Sequence, residues 1–235
     1  MPKPTFLRLP DDRRELVVRE AIVEFAEQAY AEASLSRIAR RTGIAKGSFY
    51  QYFDDKLDLY RWLLTEEVPR RKREFVGAVT FEADFWQGLE TFVERGMAFL
   101  VEHPRLARLA AAAADPTAIA EVRGLHLAIC EAGIAELRSL LEAGAQAGAI
   151  ARTADLDVAT RLVATVIGPG LTDVVLRELD AELHEVLASP SLRQKLGTKR
   201  RRRLAHAAVL FIRGGLGASQ GENKERNAGK GRRPR

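Results

Sequence analysis

Between Ser34 and Phe53 the chain carries two short, apolar-patterned stretches separated by Gly43-Ile44, and no other segment restricts the fold as much. In the first, Ser34 stands where a helix N-cap belongs and Leu35, Ile38 and Ala39 share one face. Gly43 then occupies the place of a left-handed glycine that ends a helix. The second stretch reads Ala45-Lys-Gly-Ser-Phe-Tyr-Gln-Tyr-Phe53, with Phe49 and Phe53 four apart on one side. Two short helices joined by a glycine turn match the helix-turn-helix plan, a plan that many α-hairpins share. The side chains narrow the choice. Arg37, Arg40, Arg41 and Lys46 lie within ten residues that hold no acid, and Ser48, Tyr50, Gln51 and Tyr52 follow. Phosphates need cationic or hydroxyl donors, and base edges are read by side chains projecting from a narrow helix in the major groove. Gly47 would let that helix approach a duplex closely. The alternative for the same residues is a solvated arginine face over core tyrosines.

The flanks are helical too. Asp12-Arg-Arg-Glu15 has the form of a capping box, and Val18, Ala21, Ile22, Phe25, Ala26 and Ala29 continue it at three-and-four spacing, giving a helix near 12–29. Asp54 or Asp55 caps a fourth helix with Leu57, Tyr60, Leu63 and Leu64 as its buried stripe, up to Val68-Pro69. Beyond it the spacing predicts helices near 82–102, 105–114, 117–145, 156–179 and 199–213, with breaks at His103-Pro104 and Asp115-Pro116. Of the 235 residues 46% are hydrophobic and only 7% aromatic, with no alternating apolar runs, so the expected fold class is all-α.

Net charge is +5, but residues 217–235 hold Lys224, Arg226, Lys230, Arg232, Arg233 and Arg235 against Glu222 and Glu225, which leaves the body nearly neutral. That glycine-rich, basic end has nothing to pack and reads as a disordered tail. A single cysteine, Cys130, excludes an internal disulfide and suits a reducing compartment. Met1 to Pro10 lacks the apolar core of a signal peptide, and no stretch reaches about 18 uncharged apolar residues, so a cytoplasmic protein without membrane contact is expected.

Tyr30, Ser34-Leu-Ser-Arg-Ile-Ala39, Thr42-Gly-Ile-Ala-Lys-Gly-Ser-Phe-Tyr-Gln-Tyr-Phe53 and Lys56-Leu-Asp-Leu59 resemble the signature of the TetR/AcrR-type transcriptional regulators, without a gap over residues 12–64. The chain departs from it at Ala29, where the family usually has glycine, and at Ala45, where it usually has Ser or Thr. The resemblance implies a three-helix helix-turn-helix DNA-binding domain over 1–60, a helical-bundle domain for effector binding and dimerisation over 61–216, and the tail over 217–235. It assigns Ser34, Tyr50, Tyr52 and Lys56 to phosphates, with Arg37, Ala45, Lys46, Gly47, Ser48 and Gln51 at or near base edges or the backbone. It further implies a homodimer on a pseudo-palindromic, double-stranded operator, with repression as the family's usual mode.

The family layout gives the last two long helices to the dimer. Leu162, Val163, Val166, Ile167 and Gly170, with Leu204, Ala208 and Phe211, are the expected interface; their stripes would otherwise face the domain's own core. Phe85, Trp86, Phe92, Phe99, His103, His126 and Cys130 are the candidates for a pocket holding a small apolar or aromatic effector, with Gly88, Gly96, Gly124 and Gly133 leaving room between helices. Ordinary core packing explains each of these residues singly. His126 and Cys130, four apart, read as a core cysteine beside a half-buried histidine, and no metal or cofactor site is expected. No hydrolase, phosphate-loop or dinucleotide motif places a catalytic group, so no enzyme is expected. Two alternatives stand beside the regulator: a protein–protein adaptor that uses basic helices, and a helical-bundle enzyme, for which inward Glu-x-x-His pairs are missing.

Overall fold

The helical patterning extends through a computed structural model that describes residues 1–81, 84–115, 117–151 and 153–217, with the backbone alone at Lys46. Its helices are α1 (Pro4–Leu7), α2 (Asp11–Glu27), α3 (Leu35–Thr42), α4 (Lys46–Phe49), α5 (Lys56–Trp62), α6 (Val68–Val76) and α7 (Phe85–Glu102), then α8 (Pro104–Ala113), α9 (Ala120–Ala147) and α10 (Leu156–Thr165). The remainder are α11 (Leu171–Leu179), α12 (Leu183–Ala188), α13 (Pro190–Lys195) and α14 (Thr198–Leu216). The protein is all-α: among the described residues there is no strand, only an isolated bridge between Ile150 and Gly217. The tail expected over 217–235 lies, from residue 218 on, outside the described residues.

Caps form at some of the expected places. Asp55 accepts from the N–H of Asp58 at 2.8 Å to open α5, and Asp155 accepts from Asp157 and Val158 at 3.0 and 3.2 Å to open α10. Gly43 ends α3 with φ +68°, which a side chain would strain, and the N–H of Ile44 returns to the Ala39 carbonyl at 2.9 Å. The capping box at Asp12 does not form. Pro10 stands at the N-cap of α2, and Asp11 pairs with Arg14 at 2.5 Å. Ser34 is at the N-cap of α3 but makes no side-chain cap.

Two prolines fail to break helices. Between α5 and α6 the chain widens into a π turn over Leu63–Glu67, and between α10 and α11 into another over Val166–Gly170. A proline in a regular helix forfeits a hydrogen bond and crowds the carbonyl four residues back. A wider turn accommodates both, so α6 continues past Pro69 and the turn after α10 carries Pro169 straight into α11. In the second turn a Cβ on Gly170 would stand 2.9 Å from the Thr165 carbonyl oxygen, so that close approach requires glycine. The helix expected over 156–179 runs from Leu156 to Leu179, with the widened turn at Val166–Gly170 inside it.

Packing groups the chain into two compact units. The first comprises Met1–Phe75 and Phe99–Cys130. Its core joins Val18, Ala21, Ile22 and Phe25 of α2 to Ile38 of α3, Phe49 of α4, Leu59, Tyr60 and Leu63 after it, and Leu106 and Leu109 of α8. The second comprises Val76–Ala98 and the described residues from Glu131 onward, with Leu89, Leu141, Ile150, Val163, Leu204 and Val209 among its buried side chains.

Candidate nucleic-acid interface

The geometry of α3 and α4 depends on a buried carboxylate that the sequence reading passed over. Glu24 lies on the apolar face of α2 and is 1% exposed. It accepts from the Ser34 N–H at 2.8 Å, from Arg37 Nε at 2.8 Å and from Arg41 at 2.8 Å. Burial pushes its pKa up, but the hydrogen bonds from Arg37, the Ser34 backbone and Arg41, with the Arg37 charge, outweigh burial and hold the carboxyl below its ordinary value. Arg41 also pairs with Glu20 at 3.0 Å. Arg37 is thus engaged inside the module, and so is Arg41. Arg40, exposed on the same helix, has no ion pair or side-chain hydrogen bond among the described residues. The signal in the sequence was an acid on an apolar stripe, three residues from Ala21.

Lys56 is similarly occupied. Its Nζ donates to the carbonyls of Tyr30, Ala31 and Ala33 at 2.8, 3.1 and 3.1 Å and sits 4.6 Å from the centre of the Tyr30 ring. An ammonium has three donors, and all three tie down the loop between α2 and α3. Tyr52 packs its ring on Phe6 and Phe49, at 5.8 and 6.2 Å between centroids, and is half-buried.

The outward set is narrower. Helix α4 is a single turn, shorter than the stretch 45–53 expected, and Phe49 and Phe53 anchor it with 1% exposure each. Ala45 at its N-cap, Gly47, Tyr50 and Gln51 are exposed, and Ser48 is half-buried. Lys46 heads the helix. A Cβ on Gly47 would meet nothing within 4 Å, so no internal contact requires glycine there.

The expected interface between subunits divides by burial. Val163, Leu204 and Ala208 are 2%, 3% and 9% exposed, enclosed in their own unit's core. Leu162 and Phe211 are 61% and 73% exposed, as are Val158, Val174 and Leu210 in large part, while Val166 and Ile167 are half-buried and Gly170 is exposed. Residues 158, 162, 166, 170 and 174 form a continuous four-spaced row along α10 and α11. By length and composition alone the 24 residues Leu156–Leu179 are apolar enough to cross a bilayer, with mean hydropathy 1.3 and 28% of the best window buried. That differs from the expectation of no such stretch; Arg161, Asp173 and Arg177 interrupt it.

The candidate effector residues fall into local groups. Phe99 and His103 stand 5.0 Å apart and share contact with Phe75 in the first unit. His126 Nε2 lies 3.6 Å from the sulfur of Cys130, which is exposed rather than in a core. In the second unit Phe85 and Trp86, 5% and 7% exposed, pack edge to face, and Phe92 is half-buried. Gly88 leaves no room, because a Cβ there would meet the Phe81 ring at 2.6 Å; beside Gly96, Gly124 and Gly133 there is open space. A cleft of about 730 Å³ in the first unit is lined by other residues, including Arg14, Glu15, Trp62, Glu67 and Arg70.

A short helix, a left-handed glycine turn and a one-turn second helix, the first tied to α2 through the buried Glu24 carboxylate, define a helix-turn-helix module. Residues 17–62 match the profile of "Bacterial regulatory proteins, tetR family". The transcriptional activator FasR of Mycolicibacterium smegmatis is 34% identical over 97 residues, 41% of this chain and 44% of that protein. The chain spans about half the length of the curated relatives it matches or less. A TetR family transcriptional regulator from Chloroflexus aurantiacus aligns over 93% of this chain and 100% of its own, at 26% identity and a TM-score of 0.65. FadR of Bacillus subtilis, solved in complex with stearoyl-CoA, shares the fold over 77% of this chain and 96% of its own, with 21% identity and a TM-score of 0.59. Residues 17–62 thus match the TetR-family module, and the fold of the chain is similar to that of a TetR family regulator.

Proposed function

We propose that the protein is a cytoplasmic, DNA-binding transcription regulator that reads a pseudo-palindromic operator as a homodimer, with repression as its mode. The observation that carries the reading is the exposed surface of α4 and the turn after it, where Gly47, Tyr50 and Gln51 are exposed and, among the described residues, the side chains of Tyr50 and Gln51 make no hydrogen bond. Residues 1–60 act as the reading head and 61–216 as the body that dimerises and takes an effector. Arg40, exposed on α3 and without an ion pair among the described residues, supplies a cation for a phosphate, whereas Arg37 and Lys56 act through the loop and helix they hold.

The dimer uses the exposed row of α10 and α11 with Leu210 and Phe211 of α14, an apolar surface of the kind that a two-helix contact from each subunit covers. A small apolar effector, held by Phe85, Trp86 and Phe92 in the second unit, biases the distance between the two heads. A thermal-shift screen of apolar compounds followed by operator binding checks that part: hits that raise the melting temperature without altering operator affinity contradict the switch. The regulator itself is tested by an electrophoretic shift on the DNA flanking its own gene, with random duplex as competitor. A specific shift supports it; binding no tighter than to random duplex overturns it.

A further inference from the structure

Helix α4 ends after one turn, and the carbonyls of Tyr50, Gln51 and Tyr52 follow it with no next turn to receive them. Unpartnered carbonyls at a helix end are normally met by water or by a capping group. Here three donors from one short segment meet them in order. Lys3 Nζ donates to the Tyr50 carbonyl at 2.8 Å, the Thr5 hydroxyl donates to the Gln51 carbonyl, and the Lys3 N–H donates to the Tyr52 carbonyl at 2.8 Å. Lys3 also pairs with Asp54 at 2.8 Å, just past the turn.

The segment is itself pinned. Pro4 opens α1 at a position where its missing N–H is harmless, and Pro10 stands at the N-cap of α2. Between them Phe6 is 0% exposed, its ring 5.8, 5.0 and 5.5 Å from those of Tyr52, Phe53 and Trp62. The aromatic anchor fixes where Lys3 and Thr5 lie, and those two residues fix the backbone of Tyr50 and Gln51. The side chains of Tyr50 and Gln51 are exposed on the face proposed above to meet DNA.

We infer that residues 3–6 are a positioning element of the reading head: an arm that caps the end of α4 from outside and sets Tyr50 and Gln51 for base and phosphate contact. The inference rests on the DNA-reading function. Lys3 and Thr5 are positioning residues, since their polar atoms are spent on backbone carbonyls. Phe6 is their anchor.

The test uses the full chain and two duplexes, one enriched from a random pool by the wild type and one of random sequence. Thr5→Val removes one cap without changing charge at an exposed position, so the module still folds. It is expected to weaken binding to the enriched duplex about fivefold and leave the random duplex and the thermal midpoint unchanged. Lys3→Gln is expected to lose specific affinity with the salt slope preserved, and Lys3→Arg to recover part of it. A salt slope lowered by about one in Lys3→Gln would make Lys3 a phosphate contact instead. Equal loss on both duplexes for Thr5→Val, or no loss on either, overturns the arm's role. If the wild type enriches no sequence, the DNA-reading function fails first, and the arm's role falls with it.

Discussion

Glu24 receives three hydrogen bonds while nearly excluded from water, and those partners join α2 to both the start and the last turn of α3. Removing its charge leaves Arg37 and Arg41, each about one third exposed, to find water again, so the loss is moderate. Glu24→Gln is expected to lower stability by about 1–3 kcal/mol in urea unfolding. The pH dependence has a definite sign. Glu24 and Glu67, the latter lowered by Arg70 and Arg71 against the effect of burial, both titrate below the ordinary glutamate value in the folded state. Their contribution is complete above that value and is lost as pH falls through the lower folded values. Urea midpoints measured from about pH 6 to about pH 3 should therefore fall at the acid end, less steeply in Glu24→Gln than in wild type. Gly47→Ala separates fold from function. With open space around the added Cβ, stability should hold or rise by up to about 1 kcal/mol, while DNA affinity falls. Unchanged affinity for a selected duplex would show that the backbone at Gly47 does not approach DNA.

Among elements, the legible ones were those whose cause is local. Gly43, Asp55 and the Phe49–Phe53 pair act on neighbours within a turn, and each does in the structure what its position indicates. What the sequence did not disclose depends on distant partners: Arg37 meets a residue 13 positions away, and Lys56 meets a carbonyl 26 positions away. Spacing within one helix cannot distinguish a cation aimed at a phosphate from one aimed at the chain. Pro69 misled for a related reason, because the π turn that accommodates it has no composition of its own. Helix α1 was missed since four residues that open on Pro4 carry no period. The Gly170 turn gives a stability test. Gly170→Ala should cost about 1–3 kcal/mol, the ordinary range for overpacking, because the Thr165 carbonyl must move. A change below about 0.5 kcal/mol in urea unfolding would mean that the turn yields freely.

For the whole molecule, the exposed row on α10 and α11 and the exposed end of α14 need a partner more than the buried stripe beside them does. Leu162→Glu combined with Phe211→Glu should give folded monomers by light scattering, whereas Val163→Glu, placing a charge in the core, should unfold the protein. A dimer that survives the double substitution would move the interface elsewhere. Two heads held by a two-fold axis imply a two-fold sequence, with half-sites repeating about every 34–36 Å along the duplex. Selection of bound duplexes from a random pool, run in parallel with wild type and Gln51→Ala, measures this most directly. Wild type should enrich a pseudo-palindrome, and Gln51→Ala should enrich the same site with one base pair relaxed in each half. Enrichment of no sequence, or of one without symmetry, would contradict a dimer that reads DNA through α4.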